Sequence, residues 1–289
     1  MSVMNRILII GATGRTGRQV FSQLAAMGVQ VRALARNPKA TGLPAYAEVV
    51  QGDLTLPETL DRCLDGVDAV FLVWTAPPDT IPDVLERIRK RVRRIVYLSA
   101  AFKTAHPFFQ ASQPNPSAAL HAEVERLIEI SGCQWTILRP GMLAANAQWW
   151  WASQIQAGDL VRWPYLAAPT APIDERDIAA VAVRALCEEG HDGADYVLTG
   201  PQSLSQFEQI STIGDVIGRP LRVEEMSPDE TRREWAARWP ASVVTMLLDS
   251  WAAAIGQPAF ITSTVAEITG APPRTFRAWA TDHIADFQV

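Results

Sequence analysis

Cysteine appears three times in 289 residues, at positions 63, 133 and 187, and no two of these form a C-x-x-C pair. That spacing excludes a disulfide framework or a cysteine-built zinc site and fits reduced packing thiols in a cytoplasmic protein. Long apolar runs are missing as well. Ile7–Ile10 is too short for the hydrophobic region of a secretory signal, and no stretch reaches the ~18 apolar residues of a spanning helix. The expectation is a soluble protein with no membrane contact. Positive charge is in deficit too: 26 Lys and Arg face 31 Asp and Glu, a formal net charge of -5. Such a balance argues against nucleic acid or an anionic membrane as partner. The basic run Arg87–Arg94 falls at a helix end, where cations complement exposed carbonyls. Asp174, Glu175 and Asp177 crowd a helix start, but Asp174 is placed to cap that helix, and no metal is expected there.

What the chain does have is apolar content, 48% against 20% charged, enough for a core that removes about 75% of the unfolded surface from water. Its periodicity alternates from the start. Buried-strand patterns at Arg6–Ile10, Val29–Ala35, Glu48–Val50, Asp68–Trp74, Arg94–Ser99 and Trp135–Leu138 are separated by helical ones at Arg15–Met27, Pro57–Cys63, Ile81–Arg91 and Ser117–Ile130. Continuous apolar strands alternating with helices predict an α/β fold, a doubly wound parallel sheet covered on both faces. After Pro140 the regularity fades into a stretch rich in Trp, Pro and Ala, then a helix at Glu175–Glu188, a short strand at Tyr196–Leu198 and helices punctuated by proline. The reading divides the chain into a first unit over 1–145, with 173–200 packing back onto it, and a smaller, mostly helical, substrate-facing lobe from 146–172 and 201–289.

The chemistry begins at residue 11. Gly11, Gly14 and Gly17 recur at a three-residue stride, directly after a strand and opening a helix. Gly11 permits the tight turn, Gly14 lets backbone approach a pyrophosphate, and Gly17 allows close helix packing. The phosphates would sit at the helix N-terminus, near Thr13, Arg15 and Thr16. In this context the pattern predicts a Rossmann-type dinucleotide site. The second strand then ends in LARNP, which puts Arg36 where NAD sites commonly carry Asp or Glu. A guanidinium can grip a 2′-phosphate that a carboxylate would repel, so the predicted cofactor is NADPH/NADP, with Arg15 reaching the same phosphate.

GATGRTG, LARNP, GDL at Gly52–Leu54, LRPG at Leu138–Gly141, IDERDIAAVAVRAL at Ile173–Leu186 and YVLTGP at Tyr196–Pro201 together resemble the NmrA-like branch of the atypical short-chain dehydrogenases/reductases. The resemblance spans most of the chain. It implies that Asp53 and Leu54 contact the adenine, that Trp74 and Thr75 lie along the cofactor ribose, and that Ser99 and Pro140–Leu143, including Met142, approach the nicotinamide. The parent superfamily uses Tyr-x-x-x-Lys as proton relay, often with Glu four residues further on. Counting back from Glu125, this chain reads Ser117-Ala-Ala-Leu-His121, with serine in the tyrosine position and histidine in the lysine position. A serine hydroxyl is too short and too weak an acid to replace the phenol. His121 titrates near neutrality, so it suits a ribose hydrogen bond or a proton relay; Lys103 and His106 follow as loop donors at the ligand edge of the sheet.

Trp149, Trp150 and Trp151 are consecutive, and side chains about 100° apart on a helix cannot all enter one core face. With Trp163 in the same lobe, Trp149 and Trp150 are read as lining a pocket for an apolar ligand; a packed lobe or oligomer contact is the alternative. The leading function is an NADPH-dependent reductase of a carbonyl or enone in an apolar, aromatic or polyketide-like small molecule, a ketoreductase of secondary metabolism. His121, Ser99 and His106 are its candidate catalytic groups. The alternatives are a non-catalytic NADP(H)-sensing regulator and a quinone or azo reductase. The partner is a small molecule, and the protein is a monomer or homodimer.

Overall fold

The computed structural model describes residues 6–102 and 116–288. β1 (Ile7–Ile10) is four aliphatic residues with no polar alternation, so it can lie only in the middle of a sheet covered on both sides. α1 (Arg15–Ala26) follows at once, then β2 (Val31–Ala35), β3 (Glu48–Gln51), the short α2 (Leu60–Cys63), β4 (Ala69–Val73), α3 (Ile81–Arg89), β5 (Arg94–Leu98), α4 (Pro116–Glu129) and β6 (Gln134–Pro140). Beyond β6 come α5 (Asn146–Ala157), β7 (Leu160–Pro164), β8 (Pro169–Thr170), α6 (Glu175–Cys187), β9 (Ala194–Leu198), β10 (Leu204–Ser205), α7 (Gln206–Val216) and β11 (Arg222–Met226). The chain closes with α8 (Pro228–Trp235), α9 (Ala241–Ala254), α10 (Thr264–Thr269) and α11 (Phe276–Asp282).

Seven strands form one parallel sheet in the order β3-β2-β1-β4-β5-β6-β9. The order reverses direction between β1 and β4, which leaves a crevice at their carboxyl ends where ligands of such sheets bind. Two apolar layers sandwich the sheet. α1 and α6 cover one face with Val20, Phe21, Leu24, Val181 and Leu186. α2, α3 and α4 cover the other with Leu60, Val84, Leu85, Val124 and Ile128. β9 and α6 thus return to the sheet after the excursion through α5, β7 and β8.

A third core, apart from both layers, is built from Trp150, Trp151, Trp163, Ile210, Trp251 and Trp279. The stretch read as irregular holds α5 and two short strands: β7 pairs in parallel with β11, and β8 antiparallel with β10. These strands escape a reading by local pattern because their partners lie far along the chain. The basic run is spent on structure. Arg87 and Arg91 pair with Asp61, Lys90 with Glu86, and buried Arg94 donates to the carbonyls of Ala185, Leu186 and Glu188 at the end of α6. Asp174 caps α6 through the Arg176 N–H at 2.8 Å. No helix among the described residues is long and apolar enough to cross a membrane.

Candidate functional site

The glycine turn fills the crevice end of β1. Gly11 has φ +94, a left-handed conformation, and a Cβ there would meet Val73 of β4 at 2.7 Å. A Cβ on Gly17 would meet the Gly11 carbonyl oxygen at 2.2 Å, so α1 can approach the turn only with glycine at that position. Gly14 is the N-cap of α1 without any side-chain cap, and no acidic residue stands in the first turn. The turn therefore offers backbone N–H groups and a positive helix end to an anion, with no carboxylate to oppose it. Thr13, Gly14 and Arg15 are exposed there, and Thr16 is buried.

Arg36 stands exposed immediately after β2. It shares a hollow of about 610 Å³ with Gln51, Gly52, Asp53, Thr59 and Arg62. Asp61 also borders this hollow, but Arg87 and Arg91 hold its carboxyl below the usual carboxylate range, the Arg87 hydrogen bond foremost. Arg36 and Arg62 thus share the hollow with the acidic side chains of Asp53 and Glu58. Sequence reasoning missed Arg62, which becomes a neighbour only when α2 folds beside β3. Asp53 anchors its own turn, Oδ1 accepting from the Thr55 N–H at 2.9 Å.

The side chains of three positions expected near the cofactor are held by contacts within the protein. Trp74 is buried, its indole N–H donating to the Ala76 carbonyl at 2.7 Å, so its ring packs in the core, while the next residue, Thr75, is exposed. Leu54 is likewise a core side chain beneath the sheet. Arg15 does not reach toward Arg36; its guanidinium donates to the Ala145 carbonyl and to Gln148 of α5. The partners of Arg15 lie 130 and 133 residues away, where local spacing does not reveal them. Arg18 is the arginine that braces the turn, donating to the carbonyls of Thr13, Thr41 and Gly42.

At the carboxyl ends of β5 and β6 lies a buried polar group. Glu125 of α4 receives Ser99 Oγ at 2.5 Å and a two-pronged bond from Arg139 at 2.6 and 2.9 Å. Arg139 also donates to Asp195. Ser99, expected near the nicotinamide, is 5% exposed and its hydroxyl donates to Glu125. His121 sits one turn before Glu125, half-buried, with Nδ1 2.6 Å from the Tyr97 hydroxyl and its ring against Phe102. Burial lowers the His121 pKa and raises that of Tyr97, so imidazole and phenol are both neutral near neutral pH. Ser117 lies exposed one turn before His121 on the same helix. After β6, Pro140 is buried, and Met142 is tied in by its carbonyl to the Ile173 N–H and by its sulfur to Asn146. Lys103 and His106 lie outside the described residues.

The tryptophans divide. Trp151 is fully buried, while Trp149 is 74% exposed. Trp150 and Trp163 belong to the third core, yet each shows an edge in a hollow bordered by Trp149, Trp235, Trp239 and Arg238.

Comparison with known proteins follows the same outline. Residues 11–189 match the model of a family described as NAD(P)H-binding. The chain is 38% identical over 288 residues to the (4-alkanoyl-5-oxo-2,5-dihydrofuran-3-yl)methyl phosphate reductase of Streptomyces griseus, covering 97% of this chain and 99% of that one. It is 30% identical over 295 residues to the NAD(P)H azoreductase of Xenophilus azovorans, with the same coverage. Among solved structures, an NADPH-dependent quinone oxidoreductase from Escherichia coli superposes with a TM-score of 0.78 at 24% identity, over 96% of this chain and 99% of that one, which shows a shared fold.

Proposed function

The chain belongs to this NAD(P)H-binding family, and from that premise we propose that the oxidoreductase uses NADPH to reduce an enone or related conjugated carbonyl in an apolar small molecule. The observation that carries the reading is the anion cradle of Gly11, Gly14 and Gly17 at the sheet's switch point, joined to an arginine and no acid at the end of β2. Arg36 and Arg62 hold the 2′-phosphate, Asp53 borders the adenine, and His121 donates to the nicotinamide ribose. When bound, the reduced nicotinamide supplies a hydride. The protein's part is then to fix the geometry, since orientation alone can contribute several orders of magnitude in rate. The backbone of Pro140–Met142 bounds the nicotinamide end. Trp149 forms the rim of a substrate pocket, with Trp150 and Trp163 as its floor.

The conjugated carbonyl is drawn from the Streptomyces griseus relative, named for a phosphate ester built on a 5-oxo-2,5-dihydrofuran ring, an unsaturated lactone; the apolar character is drawn from the tryptophans. Quinone or azo reduction extends the same hydride chemistry to other flat acceptors, as the names of two other similar proteins suggest. Ser117 and Ser99 offer no phenol-like acid, and the proton comes from water or a substrate hydroxyl. That lack of an acid favours one rival reading, an NADP(H) sensor without turnover.

Two measurements test these statements. Titration with NADPH and NADH shows a preference for NADPH, which Arg36→Ala reduces about ten- to a hundredfold; equal affinities in the wild type overturn the cofactor assignment. Oxidation of NADPH is then followed with butenolides, enones, quinones and azo compounds. Turnover with the unsaturated carbonyls supports the reductase, and tight NADPH binding with no turnover on the whole panel supports the sensor.

A further inference from the structure

Tyr97 lies on β5 with its ring fully buried, and its hydroxyl is 2.6 Å from His121 Nδ1 on α4. Among the described residues that nitrogen is the hydroxyl's one hydrogen-bond partner. Two proton arrangements fit the distance. In one the phenol donates to a bare Nδ1. In the other a protonated Nδ1 donates to the phenol oxygen, which leaves a buried O–H with no acceptor among the described residues, an arrangement that native interiors avoid. We propose that Tyr97 is a positioning residue that holds His121 as the neutral tautomer with its proton on Nε2, turning the imidazole into a fixed hydrogen-bond donor.

The surroundings agree. Burial disfavours a charged imidazole, while Glu125 and Arg139 act on it with opposite signs. Burial also keeps Tyr97 a phenol. The tautomer therefore follows from the phenol's single option, as a second hydrogen bond commonly decides which ring nitrogen of a histidine carries the proton. One consequence is mechanistic. If His121 released its Nε2 proton while drawing on Tyr97, a buried phenolate would remain, so the pair donates hydrogen bonds and does not serve as a proton shuttle. The inference rests on His121 as the ribose contact for its use, though not for its geometry.

The test is 15N NMR of histidine-labelled full-length protein, with the His121 signals assigned by their absence in His121→Gln. The wild type should show a neutral ring protonated at Nε2, with and without NADPH. Tyr97→Phe should release the tautomer to a mixture and weaken NADPH binding about three- to tenfold. In a His121→Gln background, where the side-chain amide is the donor, Tyr97→Phe should have no further effect on binding. A wild-type ring protonated at Nδ1, or a tautomer unchanged by Tyr97→Phe, overturns the proposal. Should Tyr97→Phe fail to fold, the wild-type spectrum decides alone. The Nε2 tautomer together with unchanged NADPH affinity in His121→Ala supports the role of Tyr97 and overturns only the ribose contact.

Discussion

At the scale of single residues, the glycine turn shows how little room the site leaves. Gly17 has an ordinary helical backbone, so its requirement is purely steric: a methyl group would fall 2.2 Å from a backbone oxygen that cannot rotate away. Gly17→Ala is expected to push α1 off the turn, destabilise the fold by about 1–3 kcal/mol, and abolish measurable NADPH binding in calorimetry. This requirement was legible in the sequence, because strand, glycine stride and helix are contiguous. Arg15 was not. Its side chain can reach either the nucleotide side or the lobe, and Ala145 and Gln148, 130 and 133 residues away, take it to the lobe.

Pairs of elements carry the next level of organisation. α4 is joined to β5 and β6 by one carboxylate, Glu125, 1% exposed, whose charge is met by Arg139 at 2% exposure. Both ions have left water, and the net stabilisation of such a pair is small although each half depends on the other. Arg139→Leu should therefore cost about 3–5 kcal/mol by removing the two-pronged guanidinium from a buried carboxylate, seen as a lower urea midpoint with unchanged slope. The double variant Glu125→Leu/Arg139→Met should recover most of that loss, and failure to recover would show that geometry at Ser99, not charge, is what the pair maintains. Glu125 stands out in the sequence only through its spacing from His121; Arg139 is one arginine within an apolar strand. Neither identifies the other as its partner until β6 lies beside β5.

Over the whole molecule, the C-terminal segment clamps α6 to the third core. Arg274 donates its backbone N–H to Asp177 and its side chain to Asp174, both at 2.7 Å, while the Trp279 indole donates to Glu175 at 3.2 Å. Burial pushes the Asp177 carboxyl up to about 6, only partly opposed by the Arg274 N–H. A carboxyl whose folded-state pKa lies above its unfolded value binds its proton more tightly when folded. Its contribution is therefore favourable at low pH and is lost as pH rises from about 4 to about 6. Asp177→Asn, which keeps an acceptor for the N–H, should leave stability near pH 4 unchanged. Above pH 6 it should stabilise the protein by about 1–3 kcal/mol, measured as a rise in Tm at pH 8 over the wild type. A variant equally or less stable at pH 8 would mean that the ionised carboxylate is better served by Arg274 than burial suggests.

The sequence by itself determined the parallel sheet and the anion cradle, because each depends on contiguous residues. An apolar run has one stable place in a covered sheet, and a glycine stride between strand and helix leaves the backbone one close approach. The sequence also put an arginine at the end of β2. Only the tertiary structure decided what neighbours each polar side chain: Arg62 beside Arg36, Tyr97 on His121, Ser99 and Arg139 on Glu125, and the strand pairing of β7 with β11. Those pairings join residues up to tens of positions apart through strand register and helix packing. Hydrogen bonding reaches about 3 Å in space, whatever the separation along the chain.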